Sequence, residues 1–332
     1  MIEKILKYDW HNYWLSTEAN NFLPRAVIDA HTHCAPPIIN VPMINRLALT
    51  PGESFNYFPL HLYQGIFKRM FPNVEYRQVC FGFPHLYGQE QLSNRYLLAQ
   101  SSSVKNLLPV ALCQAQTLPS QNYLENFFGL KMYRHQQQSK EGTKIVDIFP
   151  EKILQIINSI RGNIILHLPE NILTNIDELM MLSKKYAKTN FVLAHMGVMY
   201  LNSPLYPLAL KELTLRPNIF LDTAMVSDTE VFLEALKYLG HQKILFGSDA
   251  PFSLINGNFC LDDNQKMRLK SNEDFAWVKK RYTLEDEPWP SHLFHYRIIT
   301  ALKQAITEFS VPAKLELIKN EIFFGNALRL FV

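Results

Sequence analysis

Short runs of β-branched and other apolar residues recur along the chain at 26–31, 77–82, 107–113, 127–132, 163–168, 190–195, 218–222 and 243–248. Several of them, NIILHL and NFVLAH among them, are nearly continuous, the pattern of parallel strands covered on both faces rather than of strands with one wet side. Most of the stretches between the runs carry apolar residues at three- and four-residue spacing, as helices do. Eight strands alternating with helices predict an α/β fold, a (β/α)8 TIM barrel. The firmest helices are DIFPEKILQIINSI and NILTNIDELMMLSKKYA, which open on Asp147 and Asn171 as N-caps, and TEVFLEALKYLG, which ends at Gly240 as a C-cap.

Two intervals are too long for simple crossovers. Residues 34–76 hold six prolines around the aromatic stretch FNYFPLHLYQGIFKRMF, and residues 250–290 mix acidic LDD, EDF and LEDEP with aromatics and prolines. Loops of that length in a barrel are usually functional, and both leave the C-terminal ends of strands, where a barrel keeps its active site. They are expected to form walls or a lid. No linker or internal repeat divides the chain, so residues 1–332 are read as one domain with these two insertions. The closing NEIFFGNALRLFV is expected to seal the bottom or side of the barrel.

Composition narrows the partners. At 332 residues, 48% apolar and 12% aromatic, the chain exceeds the roughly 250 residues typical of a TIM barrel and can bury one large core. A net charge of +3 from 33 basic and 30 acidic residues, with the basic ones scattered, offers no attraction for nucleic acid or an anionic membrane. Small molecules, or a second copy in a homodimer built on the aromatic 55–71 segment, are the expected partners. Cysteines 34, 80, 113 and 260 lack CxxC spacing, the start MIEKILKYDWHNYW lacks a signal-peptide core, and no run reaches the ~18 apolar residues of a membrane span. The expected compartment is the cytoplasm.

The chemistry lies at the ends of the apolar runs: His31 and His33 in VIDAHTH, His167 in IILH, His195 in FVLAH and Asp249 in ILFGSD. Side chains two apart on a strand share a face, so His31 and His33 stand side by side. If eight strands close, all five residues converge on one mouth. Imidazoles with a carboxylate make a nitrogen and oxygen shell for one divalent metal, Zn2+ first, with Mn2+, Fe2+ or Co2+ also compatible. The plainer alternatives are a pair of satisfied core histidines and an Asp249 that caps the following turn.

IDAHTH at 28–33, ILHLPE at 165–170, LAHMG at 193–197, LDTAM at 221–225, LFGSDAPF at 245–252 and the closing FFGNALRLF together resemble the amidohydrolase superfamily. The similarity is to its amidohydrolase-related branch, which includes aminocarboxymuconate-semialdehyde decarboxylase, and it covers most of residues 26–332. The resemblance implies that His31, His33, His167 and Asp249 hold one catalytic metal. It implies that His195 is a general base or electrostatic partner beside the metal's water, and that Asp249 also moves protons. Lys131 stands where binuclear members carry a carboxylated, metal-bridging lysine; with Gly129 and Tyr133 it faces the interior, and binding a substrate carboxylate or reaching solvent are the other readings. Arg69, Asp222 and Thr223 are expected to contact substrate, and Asp29 to orient a ligand imidazole from the face of His31. Tyr57, His61, His292, His295 and Arg297 are further candidates from the insertions and their flanks, and Cys34 is read as a packed thiol. The implied activity is metal-dependent hydrolysis, with metal-activated water attacking a C–N or C–O bond of an amide, ester or lactone. The alternatives are non-oxidative decarboxylation of a small unsaturated or aromatic acid, and an inactive barrel that serves as a binding or scaffold protein.

Overall fold

Eight parallel strands stand where the apolar runs predict them. They are β1 (Ala26–His33), β2 (Glu75–Phe81), β3 (Leu107–Pro109, resuming at Ala111–Cys113), β4 (Leu130–Met132), β5 (Asn163–Leu166), β6 (Asn190–Leu193), β7 (Ile219–Asp222) and β8 (Ile244–Leu245). The computed structural model describes residues 11–34, 36, 47–50, 53–55, 58–83, 90–114, 119–133, 142–254, 257–261, 267–271 and 293–332. The strands form a sheet β1-β2-β3 and a sheet β3-β4-β5-β6-β7-β8. The two join at Val110, whose N–H donates to Cys80 O at 2.8 Å while the next residue, Ala111, donates to Gly129 O at 3.0 Å. They join again between β8 and β1, where Ala30 N–H donates to Phe246 O at 2.8 Å and His33 N–H to Ala250 O at 2.7 Å. The strands thus close into the expected (β/α)8 ring.

Ile28, Ala30, Val79, Phe81, Leu108, Val110, Ile165, Val192 and Leu245 fill the inside of the ring, and Ala327 and Phe331 of the last helix join them. Asn326 Nδ2 donates to Ile244 O at 2.7 Å and Asn163 Nδ2 to Leu330 O at 2.6 Å. These bonds hold that helix against the N-terminal ends of the strands, so the closing segment does seal the bottom.

The predicted helices form, with one difference. Asn171 caps Ile172–Lys185 by accepting from Leu173 N at 2.9 Å, and Gly240 follows Thr229–Tyr238 at φ 88°, a left-handed turn that suits glycine. The segment DIFPEKILQIINSI is split into Ile145–Ile148 and Glu151–Ser159, because Pro150 has no N–H to continue a helix. Asp147 therefore caps only the shorter piece, accepting from Lys144 N at 2.8 Å.

Within the first long interval the structure places a hairpin, Leu47–Thr50 with Glu53–Phe55, and a helix, Leu60–Met70. That helix buries Leu60, Tyr63, Ile66, Phe67 and Met70. Four rings of the aromatic stretch are used inside their own chain: Phe58, Tyr63, Phe67 and Phe71 are at most 1% exposed. The same helix corrects the expectation for Arg69. It returns from the mouth end of β1 to the start of β2, so its last turn lies at the opposite end from the mouth, and Arg69 is exposed there. The second interval forms a hairpin, Gly257–Leu261 with Met267–Ser271. The other residues of both intervals, except 34, 36, 58–59, 71–76 and 250–254, lie outside those described. Among the described residues no helix is long and apolar enough to cross a membrane.

Candidate metal centre

Register brings the predicted side chains to one rim. Met132 pairs with Leu166 and Leu166 with Leu193, so the residues that follow them, Tyr133, His167 and the Ala194–His195 pair, emerge at one level beside Asp222, which ends β7. On β1 the pairing with β2 shifts between Asp29 and Thr32. Ile28 and Ala30 point into the barrel, and strict alternation would send His31 outward with Asp29. The bulge turns His31 inward and leaves Asp29 outside.

The four histidines share one hydrogen-bonding logic. His31 Nδ1 lies 2.8 Å from Asp222 Oδ2, His33 Nδ1 3.0 Å from Gly82 O, His167 Nδ1 3.0 Å from Leu168 O and His195 Nδ1 2.9 Å from Ala224 O. Every partner is an acceptor, so each Nδ1 carries the hydrogen and each Nε2 is left as the ligating nitrogen. Asp249 Oδ1 stands 3.0 Å from His33 Nε2 and 3.3 Å from His31 Nε2, and His31 Nε2 is buried with no hydrogen-bond partner. Ligating atoms of His31, His195 and Asp249 all lie within 4.8 Å of one another. The His167 ring centroid is 5.0 Å from that of His195. Nitrogens that have given their hydrogens away and face a carboxylate are a donor set that a divalent cation completes.

Electrostatics agree with the donor count. Burial lowers the pKa of His195 to about 4 and that of His167 to about 3, so both are neutral at pH 7, the form a metal needs. Burial likewise lowers His33. Asp249 is buried, which alone would raise it, but the charge of His31 and the nearby His33 ring hold it well below the usual range. His31 is the exception. Burial pulls it down, yet the carboxylates of Asp222 and Asp249 raise it to about 9, so without metal a proton sits where the cation would.

His195 and Asp249 adopt left-handed backbone, φ 58° and 66°, and Met196, Gly197 and Val198 continue it. Such conformations cost energy in residues other than glycine and collect at functional sites. Asp222 Oδ1 accepts from His195 N at 2.9 Å, and Tyr206 donates to Met196 O at 3.1 Å, which together hold the turn. Gly247 is required by close approach, since a Cβ there would sit 2.9 Å from His31 Cβ.

Lys131 is fully buried on β4 and its Nζ has no hydrogen-bond partner. It lies 5.3 Å from the Phe81 ring and 4.7 Å from the Tyr133 ring, and burial lowers its pKa to about 8 against the pull of Asp222 and Asp249. Aromatic rings wall the mouth. Phe83 stacks on His33 at 5.4 Å and Phe252 meets it edge-on at 5.2 Å. Tyr200 covers His195 at 5.3 Å, and Phe259 of the second hairpin covers Tyr200 at 4.5 Å. Tyr200, Phe83, Phe252 and Phe259 escaped the sequence reading, because aromatic residues near strand ends carry no spacing signal.

The remaining candidates are placed elsewhere. Asp222 is sealed, with one oxygen on His31 and the other on His195 N and Ala224 N, so it orients histidines rather than meeting substrate. Asp29 accepts from Ser248 N at 2.8 Å and from Tyr63 and Tyr76, each at 3.1 Å; it ties β1 to the helix outside the ring. Thr223 exchanges hydrogen bonds with the Gly247 backbone at 2.9 Å. Cys34 is buried, as read. His295 is buried 3.3 Å from Ser253 Oγ, Arg297 is half-buried on the same helix, and His61 is exposed. Tyr57 and His292 lie outside the described residues.

An amidohydrolase family model matches residues 168–331. No curated protein matches in sequence. Among solved structures, an amidohydrolase from Burkholderia multivorans with bound zinc aligns at TM-score 0.56 and 13% identity, covering 92% of this chain and 99% of that one. A protein described as a 2-pyrone-4,6-dicarboxylic acid hydrolase from Pseudomonas putida aligns at 0.56 and 16%, over 93% and 98%. The 5-carboxyvanillate decarboxylase of Sphingomonas paucimobilis aligns at 0.54 and 11%, over 93% and 99%.

Proposed function

We propose that this chain, similar to an amidohydrolase family model over residues 168–331 and to solved amidohydrolases in fold, is a metal-dependent hydrolase that breaks a C–N or C–O bond in a small amide, ester or lactone. The observation that carries this reading is the set of four imidazoles whose Nδ1 atoms all lie on hydrogen-bond acceptors, with the Nε2 atoms of His31 and His33 facing the Asp249 carboxylate. His31, His33, His167 and Asp249 would hold one divalent ion, zinc first on ligand type. When bound, such an ion acidifies water and polarises a carbonyl. His195, neutral at pH 7 and with Nε2 free, is placed to accept a proton. Its inclusion in the tightest group of ligating atoms also makes it a fifth candidate ligand. Asp249, ionised and touching both His31 and His33, is the group to carry that proton to the departing nitrogen or oxygen.

A second reading, decarboxylation of a small unsaturated or aromatic acid, is favoured by one observation: an ammonium group, Lys131 Nζ, lies buried and unpartnered among the aromatic walls of the same site. A cation of this kind would hold a substrate carboxylate. The four cysteines form no disulfide, which supports a cytoplasmic setting. The test is a screen of lactones, esters, amides and unsaturated acids with zinc-loaded protein, following acid release and carbon dioxide release in parallel. Turnover that a chelator removes and zinc restores is expected, and the product assigns the reaction. Turnover indifferent to chelation would remove both readings.

A further inference from the structure

We propose that Tyr133 is a catalytic hydrogen-bond donor, whose phenol O–H, resting on His33 Nε2 in the metal-free site, is aimed at the substrate oxygen on which negative charge gathers. The inference rests on the metal-dependent reading above and adds a residue outside the ligand set.

Tyr133 follows β4 directly, and its ring centroid is 6.3 Å from that of His33 and 6.4 Å from that of His167. The phenol therefore stands between two of the expected ligands on the open side of the site. Its side chain is half-buried, whereas those of His31, His33 and His195 are sealed. Lys131 Nζ lies 4.7 Å from the ring centroid, a cation–π contact that helps hold the ring in place.

The phenol oxygen is 3.4 Å from His33 Nε2, a long contact for a hydroxyl donor. His33 gives its Nδ1 hydrogen to Gly82 O at 3.0 Å, so Nε2 has a single in-plane lone pair. A lone pair can be given to a cation or to the phenol hydrogen, not to both. Metal binding therefore releases a donor whose ring stands beside both His33 and His167. When a nucleophile adds to a carbonyl carbon, the carbon–oxygen π pair moves onto oxygen, and a preorganised donor at that oxygen strengthens its bond as the charge grows. A charged acceptor makes this the strong class of hydrogen bond.

The test compares wild type with Tyr133→Phe, which keeps the ring and the contact with Lys131. Both proteins are loaded with zinc, assayed for metal per chain, and titrated calorimetrically with phenylphosphonate, whose tetrahedral oxygens imitate the charged adduct. Equal zinc content and binding weaker by about 10- to 100-fold in the variant are expected, the loss typical of one hydrogen bond to a charged group. Equal phosphonate affinity in the two proteins overturns the proposal, as does a zinc-loaded wild type that does not bind the phosphonate. A variant that loses zinc affinity but keeps phosphonate affinity also overturns it, since the phenol would then serve the ligands. A wild type that takes up no zinc removes the metal reading itself and this inference with it, an outcome distinct from the others.

Discussion

At the floor of the barrel Asn163 gives its amide hydrogens to Phe128 O and Leu330 O, and Asn326 gives its own to His241 O and Ile244 O. At the mouth, by contrast, Lys131 Nζ is equally buried and has no hydrogen-bond partner. The floor is filled by Ile165, Val192, Ala327 and Phe331, while the mouth holds two non-glycine residues of the site, His195 and Asp249, in left-handed backbone. A buried unsatisfied polar group or a strained backbone position costs about 1–3 kcal/mol. The mouth therefore weakens the fold, and the tightly packed floor offsets it. The difference teaches that the mouth is shaped for something absent from the protein alone.

The largest expected effect separates chemistry from occupancy. Asp249→Asn should lower turnover by about 10²- to 10⁴-fold, the usual range for a group that moves protons, and should lower metal content much less; equal losses would leave Asp249 a ligand only. The floor is tested by Phe331→Ala, which should cost about 3–5 kcal/mol in chemical denaturation and leave metal per folded chain unchanged. A drop in metal per folded chain would show that the two ends are not independent. Asp222→Asn should weaken metal affinity by about 10- to 100-fold with the fold retained, since it removes the acceptor that fixes the His31 ring. An unchanged affinity would return Asp222 to the list of substrate contacts.

The smallest effect is a pH dependence. His31 is raised from 6.5 to about 9 by Asp222 and Asp249, which overcome its burial. A raised folded pKa contributes stability that is fully present below 6.5 and is lost as pH rises through about 9. Metal-free protein should therefore lose denaturation stability between those values while metal affinity grows, because the cation displaces that proton. A profile flat across the window would mean that His31 is neutral without metal.

Much of this contrast was legible in the sequence. The apolar runs located all eight strands, since strands covered on both faces leave a continuous hydrophobic signature, and the histidines and aspartate at their ends do meet at one rim. Asp29 was misplaced because the bulge after it breaks the period-two alternation, and no residue in IDAHTH announces a bulge. The orienting role therefore fell to Asp222, 191 residues further along from His31. Arg69 was drawn toward the site by its place in a long insertion, but the helix that carries it is the ordinary crossover, amphipathic and packed on the ring. The aromatic walls were not legible because they depend on which rings the loops bring together.

Metal per chain of the purified protein, measured by plasma mass spectrometry beside His33→Ala, tests the central claim most directly. About one divalent ion per wild-type chain is expected, zinc foremost, with its loss in the variant and the fold retained. A wild type that holds no metal after incubation with zinc, or a variant that keeps the wild-type ratio, would contradict that claim.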